Sequence, residues 1–264
     1  MAQTHRITID RLVCGYGQRA VTGDVSFGVE PGEIVCILGP NGVGKTTFFR
    51  TVQGFLPKIS GGLKINGREI GSYKRKELAK LIAYVPQAQV TAFPYSVRDV
   101  TVMGRTAHFG TFSTPGKKDY EICDEVIDRL GITPIKDKQY TQISGGERQM
   151  TIIARALAQK SRFLMMDEPT NNLDFGNQVK VLQHILALAK EGIGILMTTH
   201  FPEHAFLCSN KVALFARDKR FVCGTSEEIV TEETMQETYG VKVRVAGVPG
   251  LTEDERIKVC TPVL

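Results

Sequence analysis

Glu33-Ile34-Val35-Cys36-Ile37-Leu38, followed without a gap by Gly39-Pro40-Asn41-Gly42-Val43-Gly44-Lys45-Thr46-Thr47, decides how the rest of the chain is read. The first six residues are a nearly continuous apolar run, the mark of a strand buried on both faces. The next nine fit GxxxxGK[ST], and residues 48–55 read as a helix, so the motif sits in the strand-loop-helix context it requires. Glycines let the backbone curl until successive N–H groups point inward at a phosphate, and the following helix adds the positive end of its dipole. Lys45 supplies a charge for the terminal phosphates and Thr46 an oxygen for a divalent cation. Gly39, Pro40, Asn41, Gly42, Val43, Gly44, Lys45, Thr46 and Thr47 are therefore the candidate phosphate-binding residues.

A second apolar strand, Phe163-Leu164-Met165-Met166, ends in Asp167-Glu168. An isolated Asp-Glu at a strand end is ordinarily solvated loop. Paired with a phosphate loop, it reads as chemistry: Asp167 to hold a cation through water, Glu168 to polarise an attacking water.

Composition bounds the alternatives. The 264 residues are 42% apolar and 23% charged, which excludes collagen-like, disordered and small disulfide-stapled classes. The length allows one large α/β domain or a core domain carrying a sizeable insertion, and the second is favoured. No run of about 18 apolar residues exists, and Met1 to Arg6 contain no apolar leader core, so a cytoplasmic location is expected. The six cysteines, at 14, 36, 123, 208, 223 and 260, make no CxxC pattern and are expected to be buried and reduced. The net charge of +5 is spread along the chain. Its one dense patch, Lys74-Arg75-Lys76, reads as a solvated helix start, so no nucleic-acid footprint is drawn. Mild basicity is compatible with an anionic membrane surface.

Around the phosphate loop, strands are expected at residues 7–13, 25–29, 63–67 with an Asn66-Gly67 turn, and 81–85. Residues 88–160 read as a mostly helical insertion, periodic at Val97, Val100 and Met103 and again at Ile122, Val126, Ile127 and Leu130. Strands return at 163–166 and 193–197, separated by a helix with the stripe Val181, Leu182, Ile185 and Leu188. That alternation implies a parallel sheet. A closing hairpin is expected over 211–215 and 220–222, with Asp218 in its turn, and a helix over 226–240 with a capping-box arrangement at Ser226. Ser60-Gly61-Gly62 is assigned to a loop. The sequence gives residues 241–264, a C-terminal extension, no role.

Between the two phosphate-linked motifs lies Ile143-Ser144-Gly145-Gly146-Glu147-Arg148-Gln149, ahead of an Ala-rich helix. Here the chain resembles the ATP-binding cassette family over residues 6–240. Tyr16, Gln87 in Tyr84-Val85-Pro86-Gln87, Asn171-Asn172-Leu173-Asp174 and His200 after a strand fall in the family's order. The resemblance implies a P-loop NTPase core with a mostly parallel sheet, an N-terminal antiparallel β subdomain and an inserted α-helical subdomain. It implies ATP as ligand and Mg²⁺ as its cation, with Tyr16 stacking on adenine. Thr46, Gln87 and Asp167 would lie at the metal, Glu168 and His200 at the γ-phosphate, and Asp174 near the nucleotide. Ser144, Gly145, Gly146 and Glu147 would act from a second copy, so that a homodimer sandwiches ATP. Glu147 stands where the family commonly has Gln, which adds charge near phosphate.

Residues 91–105, Pro169 to Asp174 and His200-Phe201-Pro202-Glu203-His204-Ala205 look like importers of iron-siderophore, haem and cobalamin type. Such a cassette pair drives a membrane permease fed by an extracytoplasmic binding protein, and sits on the cytoplasmic face of the plasma membrane. Iron chelate, haem, cobalamin and oxyanions such as molybdate stay open as cargo. A soluble cassette ATPase serving ribosomes, DNA repair or cluster assembly is the alternative. His200 to His204 also spell HxxEH, a zinc-peptidase pattern, but Pro202 suits only a first helical turn and would leave His200 outside the helix. His204 is then expected to be an ordinary helix residue.

Overall fold

The computed structural model describes residues 5–87, 94–109, 113–250 and 256–263. Thr91, Ala92 and Phe93 of the importer-like stretch lie outside them. The chain divides into two compact units, Met1–Ser72 with Ile195–Leu264, and Tyr73–Gly194.

In the first unit the long strand Ile7–Tyr16 pairs antiparallel with Arg19–Ala20, Val25–Val29 and Lys58–Ile65, and Lys58–Ile65 pairs with Arg68–Glu69. The turn between the last two is Asn66-Gly67, both at positive φ, as the dipeptide predicts. Ser60-Gly61-Gly62 belongs to the Lys58–Ile65 strand and not to a loop. The register with Ile7–Tyr16 slips between Asp10 and Val13. A Cβ on Gly61 would lie 2.1 Å from the Arg11 carbonyl oxygen, so the bulge needs glycine there.

Ile34–Leu38, buried at every position, runs parallel to Gly194–Thr198 on one side and to Lys211–Phe215 on the other. Phe221–Gly224 closes the hairpin with Lys211–Phe215, and Asp218 accepts from the Arg220 N–H in its turn. Phe27, Phe48, Phe215 and Phe221 form a ring cluster with centroids 5.3 to 5.9 Å apart. The cluster joins the antiparallel sheet, the helix after the phosphate loop and the closing hairpin into one apolar core.

The expected 226–240 helix is two helices, Ser226–Ile229 and Glu232–Tyr239. Thr225 rather than Ser226 caps the first, in a full capping box with Glu228, and Thr231 caps the second. The C-terminal extension forms an antiparallel hairpin, Val243–Pro249 with Arg256–Pro262.

In the second unit Ile82–Val85 runs parallel to Phe163–Met166. Helices Val97–Val102, Lys117–Arg129 and Gly145–Ala158 lie within residues 88–160, and Phe175–Lys190 follows. Val102, Cys123 and Ala158 pack together. Arg105, buried beside them, donates to Asp119 Oδ1 at 3.0 Å and to the Ala158 carbonyl at 2.8 Å, which satisfies a charge that burial would otherwise penalise. Five cysteines are buried and Cys223 is half-buried, all as free thiols.

Candidate functional site

The first unit carries the phosphate loop. Its helix begins at Lys45, three residues earlier than the apolar pattern suggests, because Gly44 takes φ 108° and turns the loop straight into the first helical turn. Gly44 has no side chain to cap that turn, and no acidic residue lies in it, so the helix start keeps its affinity for an anion. Lys45 is buried, and its ammonium donates to the Pro40 carbonyl at 3.0 Å and to the Gly39 carbonyl. Asn41, Gly42 and Thr46 are exposed, whereas Gly39, Pro40, Val43, Gly44 and Thr47 are buried.

Tyr16 ends its strand 50% exposed. His200 lies after Gly194–Thr198 and two residues before Pro202, the first residue of Pro202–Cys208. The two HxxEH histidines therefore do not share a helix face. His204 is more than an ordinary helix residue. It is buried, its Nδ1 lies 3.0 Å from Thr199 Oγ1, and Thr199 Oγ1 accepts from the Phe201 N–H at 3.1 Å. This chain fixes the backbone on both sides of His200. Burial pushes His204 down to about 4.

The second unit carries the carboxylates. The Asp167 N–H donates to the Val85 carbonyl at 2.9 Å, and the Tyr84 hydroxyl donates to Asp167 Oδ2 at 3.2 Å. Glu168 has φ 48°, a left-handed conformation that a glutamate adopts only under constraint. Its Oε2 accepts from the Asn171 amide at 2.8 Å. Gln87 is half-buried two residues beyond Ile82–Val85.

Ser144 and Gly145 stand exposed at the start of Gly145–Ala158. Gly146 is buried, and a Cβ there would lie 2.6 Å from the Asn177 side chain. Asp174, which caps Phe175–Lys190, accepts from the Asn177 N–H at 2.9 Å and from its amide at 2.5 Å. These bonds hold the Asp174 carboxyl below its ordinary range. Asp174, Asn177 and Gly146 thus form one contact chain. Glu147 is turned back on its own helix, its Oε2 accepting from the Ser144 N–H at 2.8 Å. Among residues that the motifs did not single out, Tyr84, Asn171, Asn177 and Thr199 orient those they did. Only Asn171 and Tyr84 carried any signal, by standing inside quoted motifs.

A family model described as ABC transporter matches residues 22–171. An uncharacterised ABC transporter ATP-binding protein of Haemophilus influenzae is 38% identical over 228 residues, covering 86% of this chain and 87% of that protein. A manganese transport system ATP-binding protein of Synechocystis is 32% identical over 244 residues, covering 89% and 90%. A solved ABC transporter described as being of metal-chelate type, in an inward-facing conformation, is similar with a TM-score of 0.87 and 28% identity over 98% of each chain. The α/β fold expected from the sequence, with its antiparallel N-terminal sheet and parallel strands, is the fold of these ATPases. The chain belongs to the ABC transporter family, as an ATP-binding subunit whose ATPase activity is coupled to transport.

Proposed function

We propose that the chain is the ATPase subunit of an importer for a metal or metal chelate, working as a homodimer beneath a membrane permease that an extracytoplasmic binding protein supplies. One observation carries the nucleotide part of this reading. A single chain presents two helix starts: Gly44-Lys45, with no side-chain cap and no acidic residue in its first turn, suits phosphate directly, and Ser144-Gly145 stand exposed at the other, whose capping box with Glu147 leaves the remaining first-turn N–H groups to a ligand. In a head-to-tail pair, each ATP would meet Lys45 of one copy and Ser144 of the other. The cargo class rests on the manganese-system relative and the metal-chelate transporter. No helix among the described residues is long and apolar enough to cross a membrane. On this reading the permease provides the path, and the subunit rests on the cytoplasmic face.

Thr46, Asp167 and Gln87 each carry an oxygen donor of the kind Mg²⁺ takes, and on this reading they would hold it; Thr46 is exposed, and Tyr84 orients the Asp167 carboxylate. Bound there, Mg²⁺ would neutralise phosphate charge. Lys45 contributes a fixed positive charge to the terminal phosphates, and Tyr16 a stacking surface for adenine. Glu168, held by Asn171, orients and deprotonates the attacking water, while His200 contacts the γ-phosphate.

The test pairs turnover with association. Glu168→Gln is expected to reduce ATP turnover by about 10² or more, and to elute as a dimer from a sizing column in saturating ATP and Mg²⁺. Wild-type turnover would remove Glu168 from its role, and a monomer would remove the sandwich. Lys45→Ala is expected to abolish uptake of the metal chelate in cells that depend on it. Uptake that persists would sink the importer reading.

A further inference from the structure

The helix just ahead of the C-terminal extension reaches the phosphate loop through one side chain. Tyr239 ends the helix Glu232–Tyr239, and its hydroxyl oxygen accepts the Gly39 N–H at 2.9 Å. The carbonyl of the same glycine accepts the Lys45 ammonium. Gly39 is thus tied on both of its peptide groups, on one side to the C-terminal region and on the other to the phosphate-binding lysine.

Gly39 has no room for a side chain of its own. Gly39 has φ 145°, and a Cβ on it would lie 2.3 Å from the Phe215 carbonyl oxygen. A glycine in this region has access to several backbone orientations, so its peptide is held by its contacts rather than by its own sterics.

Tyr239 is in turn braced. Gly240 takes φ 73° and reverses the chain into the hairpin Val243–Pro249 with Arg256–Pro262. The Val245 N–H of the first strand donates to Glu232 Oε1 at 3.2 Å, which ties the hairpin to the helix that Tyr239 ends. The second strand, with Cys260 buried on it, packs against Pro202–Cys208, the helix that follows His200. Burial pushes the Tyr239 phenol up to about 12, so it is neutral at physiological pH and its contact with Gly39 does not titrate there.

We propose that Tyr239 is a positioning residue for ATP binding, fixing the Gly39 peptide and with it the Lys45 loop, so that the C-terminal hairpin braces the nucleotide site. The proposal rests on the reading of residues 39–47 as the ATP phosphate site. Removing the phenol oxygen leaves the ring in place and a buried N–H without its acceptor. The loop then spends part of its time in other shapes, and apparent affinity falls with the competent fraction.

The experiment compares purified full-length wild type, Tyr239→Phe and Thr238→Val. Thr238 is buried on the same helix with a hydroxyl that has no partner, so its isostere perturbs the helix without touching Gly39. Three quantities are measured: affinity for trinitrophenyl-ATP by fluorescence titration, KM and kcat for ATP, and amide exchange of peptides covering residues 38–44. Tyr239→Phe is expected to weaken nucleotide affinity and raise KM by about 3- to 10-fold. It should leave kcat at saturation within about twofold and speed exchange in the loop, while Thr238→Val matches wild type. A Tyr239→Phe protein with wild-type KM and exchange overturns the proposal, even if its melting temperature falls. So does an equal effect of Thr238→Val. Failure of the reading beneath is distinguishable, because Lys45→Ala would then bind trinitrophenyl-ATP as wild type does.

Discussion

The Ser144 backbone N–H donates to Glu147 Oε2 at 2.8 Å while Ser144 Oγ accepts from the Glu147 N–H at 3.3 Å, a reciprocal pair at the helix start that would meet a γ-phosphate. The Glu147 carboxyl is held below its ordinary range by the Ser144 N–H first and the Ser144 hydroxyl second. Its charge stabilises this helix end and opposes an incoming phosphate. Glu147→Gln keeps the acceptor and removes the charge. It is expected to cost about 0.3–1 kcal/mol of stability, a fall of roughly 1–4 °C in Tm. Because one negative charge leaves the phosphate side, ATP-dependent dimerisation should tighten about 3- to 10-fold. Calorimetry and sedimentation in ATP check the two halves, and a variant that dimerises more weakly would contradict the argument.

Gly145 and Gly146 separate access from packing. A Cβ on Gly146 would lie 2.6 Å from the Asn177 side chain, which Asp174 holds in place, whereas one on Gly145 comes no nearer than 4.0 Å to Leu173. Gly146→Ala is expected to destabilise by about 1–3 kcal/mol, and Asn177→Ala in the same chain to recover part of that loss. Gly145→Ala should leave the melting temperature unchanged while reducing ATPase activity, because the added methyl stands in the exposed approach to Ser144. Urea denaturation of the single and double variants, run beside turnover, distinguishes the two glycines.

Much of this was legible because periodicity and motif spacing act locally. The apolar run at Ile34–Leu38 could be little other than a buried strand, and GxxxxGK[ST] fixed the loop that follows it. The Phe163–Met166 strand ending at Asp167-Glu168 was equally plain. What escaped depends on residues distant in sequence, or on a single capping choice. Thr225 and Ser226 are both competent caps, and the Glu228 carboxylate decides for Thr225. Thr231 interrupts a segment whose composition favours one continuous helix. The Ser60-Gly61-Gly62 stretch reads as loop by composition, but is strand because its partner Ile7–Tyr16 bulges to accept it. The Tyr239 contact spans 200 residues and leaves no pattern in the sequence.

His204 sets a pH limit on stability. Burial pushes it down from 6.5 to about 4, so between these values the unfolded chain takes up a proton that the folded chain refuses. Stability is then complete above about pH 6.5, declines as pH falls, and levels off below about 4, with a total loss on the order of 3 kcal/mol. His204→Gln can keep a hydrogen bond to Thr199 and does not titrate. Thermal melts from pH 4 to 8 should show a shallower acid limb for this variant than for wild type. Parallel limbs would mean that His204 does not carry the dependence.

Lys45 distinguishes stability from function. Its ammonium is buried against the Gly39 and Pro40 carbonyls, a position where the charge costs desolvation and gains two acceptors. Lys45→Met fills the same space without charge. The loss of the carbonyl contacts is offset by the relief of a buried cation, so the melting temperature without nucleotide is expected to stay within about 3 °C of wild type. Nucleotide reveals the difference. ATP at about 100 times its Kd stabilises wild type by about 2.7 kcal/mol, roughly 5–11 °C in Tm, whereas Lys45→Met should gain almost nothing at the same concentration. Scanning calorimetry of both proteins with and without ATP measures all four values. A variant that ATP stabilises as strongly as wild type would show that the ammonium, despite its place in the loop, contributes little to binding.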